Sequence, residues 1–488
     1  MTHKNLRIFF RATVVLLLAM SLMAVPSAAA HEEGGFPEAL APGQQMDGAP
    51  IDNTHSLKHF TQGASKPAKG PDLHTQNLHL LASLPKSGVV NSDLAFWGQL
   101  AFAGNYRGFR VIDISDPETP QVLADVLCNG PQGDVSVWEN LLFLSNDTPQ
   151  TTEGCAGSAN TNYTRTPNAF EGIRIFDVSN PASPQFVKAV RTDCGSHTHT
   201  LVPDLANNRV LLYIASYALT TGSLGPDCQN PHAKISIVAV PLDAPQNASV
   251  TEHPLDPGTT ALVGNDILPG FGLLTTTGCH DINVFLELNL AAASCLSEAQ
   301  LWDISNPANP VFLYRIDNPN VEVWHNGAFT WDGEVVVFAD ELDGAALPGG
   351  CVDPGTLGGR LWFYQASNGA ELGSFKIPRS QPANQLCTAH NFNILPTRSD
   401  RYVLIGAWYQ AGTSVVDFTD PASPVEIGYY DAQVPTGANT WSSYWYNNFI
   451  YASDIGRGVD IFLLSDDARR GAVRFDYLNP QTQVFTIP

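Results

Sequence analysis

Three observations predict an all-β chain built from repeated four-stranded units. One phrase recurs four times along 488 residues. Glycine and proline are abundant, 40 and 35, while charged residues are only 15% of the chain. After the first 30 residues no long stretch shows helical apolar periodicity. Together these favour many short strands joined by tight turns.

The chain opens with a secretion signal. Lys4, Arg7 and Arg11 precede an apolar run from Ala12 to Val25, which ends at the small residues Ala28, Ala29 and Ala30. The run is short for a spanning helix, which needs ~20 residues. Cleavage after Ala30 removes three positive charges and no negative ones, taking the formal charge from −22 to −25. The expected location is the periplasm or the outside of the cell, with no membrane span after cleavage. Such an acidic surface repels nucleic acid and favours a neutral or cationic small molecule as partner. Residues 31–76 read as a flexible leader with solvated histidines at 31, 55, 59 and 74.

The recurring phrase runs GFRVIDISDPETPQVL from Gly108, GIRIFDVSNPASPQFV from Gly172, QLWDISNPANPVFL from Gln300 and GTSVVDFTDPASPVEI from Gly412. Each is a strand, an Asp-x-Ser/Thr-Asx-Pro-x-x-Pro turn and a second strand. The aspartates Asp113, Asp177, Asp303 and Asp417 read as turn-makers rather than catalysts. They are 64, 126 and 114 residues apart, so each double gap holds a degenerate copy. These copies lie at 234–245 and 360–375, and a last one at 458–467 makes seven. Earlier strand pairs such as Asp93–Gly104 and Tyr444–Ser453 bring each unit to four strands, A to D. The expectation is a seven-bladed β-propeller of four-stranded antiparallel blades spanning residues 77–470, with a C-terminal tail at 471–488. Asn77–Pro85 is expected to close the ring on the last blade, with Ala472–Leu478 competing for that place.

The phrase GFRVIDISDPETP resembles the LVIVD repeat found in exported bacterial β-propellers, over roughly residues 78–465. The resemblance implies the propeller fold and little about activity.

Aligned on the first residue of strand A, the seven units begin with Ser92, Gly133, His197, His280, His325, His390 and Trp441. Four consecutive histidines in register point to a shared metal at one mouth of the central channel, since imidazole suits Fe, Cu and Zn. His199 is a further candidate, and Asp281, Asn326 and Asn391 are candidates to orient the rings. Fe or Cu with a redox, oxygenase-like role is favoured, on the ground that four histidines leave no carboxylate for the metal. By architecture alone this is similar to the carotenoid-cleaving oxygenases. The alternatives are a Zn-dependent lyase or hydrolase, and a non-catalytic protein- or glycan-binding propeller with Trp441, Tyr444 and Trp445 as stacking groups. Strand B ends supply Asp340, Glu341 and Asp454 as candidate acids or bases, with Tyr409 and Arg457 nearby.

The eight cysteines read as disulfides. Cys128, Cys194, Cys279 and Cys387 precede A strands, while Cys155, Cys228, Cys295 and Cys351 lie in B–C loops on the same rim. The expected pairs are 128–155, 194–228, 279–295 and 351–387.

Overall fold

A computed structural model describes residues 72–158, 169–217, 228, 232–255, 278–342, 357–379, 381–382, 385–433 and 437–487. The expected signal segment and most of the leader lie outside these residues. Among the described residues no helix is long and apolar enough to cross a membrane.

The described strands form one sheet of nine, two of five and three of four. Each contains the expected four-stranded antiparallel unit, and the nine-stranded sheet holds two of them. Unit 1 runs Asn91–Trp97, Leu100–Asn105, Gly108–Asp113 and Gln121–Leu127. The A strands of units 2 to 7 are Gln132–Trp138, Thr198–Asp204, Asp281–Phe285, Trp324–Phe329, Asn391–Ile394 and Thr440–Tyr446. Each A strand packs beside the next, and that of unit 7 packs against that of unit 1. Unit 7 supplies Thr440–Tyr446, Phe449–Asp454 and Gly458–Leu464, and its outer strand is Leu78–Pro85 from the other end of the chain.

The repeat phrase has a local cause at both ends. In the turn, Asp113, Asp177, Asp303 and Asp417 each accept the backbone N–H of the residue two further on, at 2.7–2.9 Å. At the start of strand C, Gly108, Gly172, Gly412 and Gly458 have φ of +132°, +138°, +79° and +115°. A Cβ there would lie 1.9–2.3 Å from a carbonyl oxygen of strand D. The glycine therefore lets strands C and D meet where any side chain would push them apart.

Three expected disulfides are present, Cys128–Cys155, Cys194–Cys228 and Cys279–Cys295. Cys387 is also disulfide-bonded; Cys351, its expected partner, lies outside the described residues. Leu73–His74, in the stretch read as leader, pairs with the outer strand of unit 6.

The C-terminal stretch does not compete for the outer edge of unit 7. It runs across the ends of the A strands instead. Tyr477–Leu478 pairs with Phe96 and Trp97 of unit 1, and Thr482–Gln483 pairs with Val284 and Phe285 of unit 4. Between them Asn479 bonds both backbone groups of Val137 in unit 2, and Thr482 donates to the carbonyl of Leu201 in unit 3. Gln483 bonds both backbone groups of Phe329 in unit 5. Phe475 packs on Trp331 with ring centroids 5.0 Å apart. One segment thus satisfies A-strand backbone groups of five units.

Two stability measurements check these points. Gly172→Ala should destabilise the fold by on the order of 3 kcal/mol in urea unfolding, while Gly154→Ala, whose Cβ meets nothing within 4 Å, should be nearly neutral. Phe475→Ala should cost about 3 kcal/mol by loss of its buried contacts with Trp331 and Phe485.

Candidate metal centre

His197, His280 and His390 each stand one residue before an A strand, and His325 is the second residue of its own. Their rings form a continuous arc: His197–His280, His280–His325 and His325–His390 have centroids 4.3, 4.0 and 4.2 Å apart. The four histidines chosen by register therefore meet.

A second register completes the mouth. Strand B runs antiparallel to strand A, so its far end returns to the same rim. The residues there include Tyr106, Asp147, Tyr217, Glu341 and Tyr409. Glu341 is the one that reaches the arc most fully. Its Oε2 lies 3.9 Å from His280 Nε2 and 3.8 Å from His325 Nε2, and its Oε1 lies 3.8 Å from His390 Nε2. His280, His325 and Glu341 bring one ligand atom each within 4.8 Å of one another. The expectation that no carboxylate is left for a metal is thus corrected. Glu341 comes from the end of unit 5's strand B, and strand pairing alone brings it over the histidines.

These separations suit an ion better than direct hydrogen bonds, which need about 2.7–3.2 Å. Ligand atoms about 2.0–2.2 Å from a shared metal stand roughly 3.3–3.6 Å apart in a tetrahedral site. Small movements would bring His280, His325 and Glu341 to that spacing, while His390 stands 3.8 Å from the other carboxylate oxygen. The donor set, neutral nitrogen plus one carboxylate, fits Fe, Cu or Zn.

The surroundings fix the protonation states. Burial, with the neighbouring histidines, holds His280 well below its usual range. Burial also lowers His325 and His390 to about 3. Neutral imidazoles are the form that binds metal. The Nδ1 of His390 donates to the carbonyl of Trp441, which leaves its Nε2 lone pair facing Glu341. Tyr409 donates to Glu341 Oε1 at 2.5 Å, and burial keeps this phenol protonated.

His197 is held differently. Its Nδ1 lies 2.9 Å from Asp147 Oδ2 and its Nε2 lies 3.2 Å from the Gln132 amide. The Tyr217 hydroxyl is 3.1 Å from Nδ1, and its ring stacks on His280. Asp147, Tyr217 and Gln132 were not singled out from the sequence. The rule that picked Glu341 and Tyr409, a polar residue just past strand B, would have found Tyr217 but not Asp147, which lies inside the strand Leu141–Gln150.

His199 lies away from the arc, buried between two hydroxyls. Ser136 Oγ is 2.7 Å from its Nε2, Ser145 Oγ is 2.8 Å from Nδ1, and Asp134 Oδ2 is 3.0 Å from Nδ1. Ser136, His199 and Asp134 have the order of a nucleophile triad, yet all three are buried. Asp340 and Asp454 serve the backbone. Asp340 accepts N–H groups from Glu322, Val323, Leu342 and Gly359, and Asp454 accepts those of Asn439, Gly456 and Arg457. Arg457 pairs with Asp460.

Asp281, Asn326 and Asn391 are buried beside the histidines; Asn326 interacts with His325, and the three also bond other polar groups of the same layer. Thr198 donates to Asp281, Asn326 to Asn391, and Asn391 to Asp93. Tyr444 is buried and donates to Asp93, and Trp445 is fully buried in the core, so neither can stack on a ligand from solvent. Trp441 packs edge-on against His390, with ring centroids 4.9 Å apart.

The depressed histidines predict a pH effect in chelator-treated protein. The unfolded chain protonates His325 near its ordinary value and the folded chain only near pH 3. The stability of the neutral form is present above about pH 6.5 and is lost as pH falls toward 3. Relative to His325→Gln, the native protein should lose about 1.4 kcal/mol per pH unit between pH 6 and 4 in urea unfolding. Parallel stability curves would contradict a buried neutral His325.

Comparison with known proteins adds two findings. The LVIVD repeat model matches residues 169–192 and 302–318, which hold the turn phrases of units 2 and 4. No curated protein matches the chain. A solved structure titled "Crystal Structure of Mitotic Checkpoint Complex" is similar over 82% of this chain and 98% of that one, at 10% identity and a TM-score of 0.47. The chain carries the LVIVD repeat at two places, in all-β units of four antiparallel strands.

Proposed function

We propose that the protein is an exported, closed seven-bladed β-propeller and a metal-dependent enzyme. The observation that carries the metal is the convergence of three buried, neutral imidazoles on one carboxylate. His280, His325, His390 and Glu341 hold the ion, and His197 stands beside it, turned toward Asp147. The cyclic packing of A strands and the Leu78–Pro85 closure support the ring. Three disulfides and the absence of a membrane-crossing helix among the described residues are compatible with an extracellular place.

A bound Fe, Cu or Zn ion supplies Lewis acidity and, for Fe or Cu, electron transfer. The chain's own groups do the rest. His390 is fixed in one tautomer by the Trp441 carbonyl. Tyr409 holds Glu341 in place through its hydroxyl. Tyr217, kept protonated by burial, meets His197 with its hydroxyl and stacks on His280. With Glu341 at the mouth, the site no longer favours redox over hydrolytic chemistry on ligand grounds. The substrate is a small neutral or cationic molecule, in keeping with the acidic chain.

Elemental analysis of protein purified without a histidine tag tests this reading. About one transition metal per chain is expected. His325→Ala and Glu341→Gln should each lower the occupancy at least tenfold while the far-UV spectrum stays β-like. Full occupancy in both variants would place the metal elsewhere.

A further inference from the structure

Directly below the histidine arc lies a layer of oxygen donors that the metal centre does not use. One residue past each starting position of strand A stand Asp93, Asp134, Thr198, Asp281, Asn326, Asn391 and Ser442. Three are acidic, and Asp93, Asp134 and Asp281 are 1%, 2% and 1% exposed. They interact electrostatically with one another, Asp134 with both Asp93 and Asp281. Among the described residues no lysine or arginine pairs with any of them. His199 is the basic group beside Asp134.

Burying uncompensated carboxylates costs several kcal/mol per ion, so such a group either takes a proton or meets a cation. Hydrogen bonds satisfy part of the layer. Asp93 accepts from Tyr444, Leu94, Gln481 and Asn391. Asp281 accepts from Thr198 and Ile282. Asp134 is the exception. Its Oδ2 takes the backbone N–H of His199 at 2.7 Å, while its Oδ1 is buried and bonds nothing. A buried carboxylate oxygen with no donor, on a strand packed beside that of Asp93, is a vacant ligand for a cation.

We propose that Asp93, Asp134 and Asp281 bind a hard divalent cation, Ca²⁺ by chemical class, inside the channel beneath the histidines. All donors are oxygens, which hard cations prefer and which differ from the nitrogen-rich set above. Among the described residues only the His280–His325–Glu341 trio brings three such ligand atoms within 4.8 Å. The cation therefore keeps part of its water shell and reaches some of the carboxylates through it. The C-terminal segment closes the layer from below, where Gln481 donates to Asp93. This site stands independently of the transition-metal centre.

The test uses full-length mature protein without a tag, stripped with EDTA. Terbium luminescence excited through the aromatic residues reports binding, and CaCl₂ competes it away. The native chain and His325→Gln, which weakens the upper centre, should both bind Tb³⁺ and release it to Ca²⁺. Asp134→Asn and Asp93→Asn should each bind at least tenfold more weakly, yet before stripping carry the same transition-metal occupancy as the native chain. If Asp134→Asn fails to fold, Asp93→Asn decides alone, since its amide oxygen keeps the hydrogen bonds from Tyr444 and Leu94. Absence of Ca²⁺-displaceable Tb³⁺ in the native chain overturns the proposal, in favour of protonated carboxylates. Unchanged affinity in the folded variants overturns it as well, in favour of surface binding. Loss of Ca²⁺ binding in His325→Gln would mean that the two sites are one.

Discussion

Among the described residues the innermost strands of the four-stranded units start at the same rim and pack side by side. That shared alignment is the constraint on which everything else depends. It turns equal positions in distant repeats into neighbours in space. His280, His325 and His390, separated by 45 and 65 residues, touch because each holds the same place in its own unit. The antiparallel partner strand returns to that rim, so Glu341 and Tyr409 arrive over the histidines from a second set of equal positions.

The alignment needs outer strands that approach closely. Gly108, Gly172, Gly412 and Gly458 supply this by leaving out the side chain that would strike a strand D carbonyl. The aspartates of the turn phrase fix the reversal that follows. Backbone geometry accounts for the recurrence of these residues. The C-terminal segment holds the opposite ends of the inner strands by bonding their exposed backbone groups and covering Trp331.

Burial acts differently on two neighbouring sets of side chains. At the mouth, burial disfavours charge on the imidazoles and keeps them neutral, as metal ligation requires. One residue further in, burial raises Asp93 to about 7 and raises Asp281 as well. The same desolvation therefore acts on nitrogen bases and on carboxylic acids with opposite consequences for their pKa. Two chemically distinct donor sets result within one residue of strand length.

The sequence by itself determined the repeat, the strand content, the three cysteine pairs seen among the described residues and the histidine register. All of these depend on local turn chemistry or on counting positions within a unit. Tertiary structure alone decided which rim residue crosses to the histidines. Glu341 meets three of them, while Asp147 draws His197 aside and two serines enclose His199. It also sent the C-terminal segment across the inner strands rather than to the outer edge of unit 7, which Leu78–Pro85 already occupies. Those outcomes turn on side-chain reach and on competition between segments far apart in the chain, neither of which spacing within a repeat encodes.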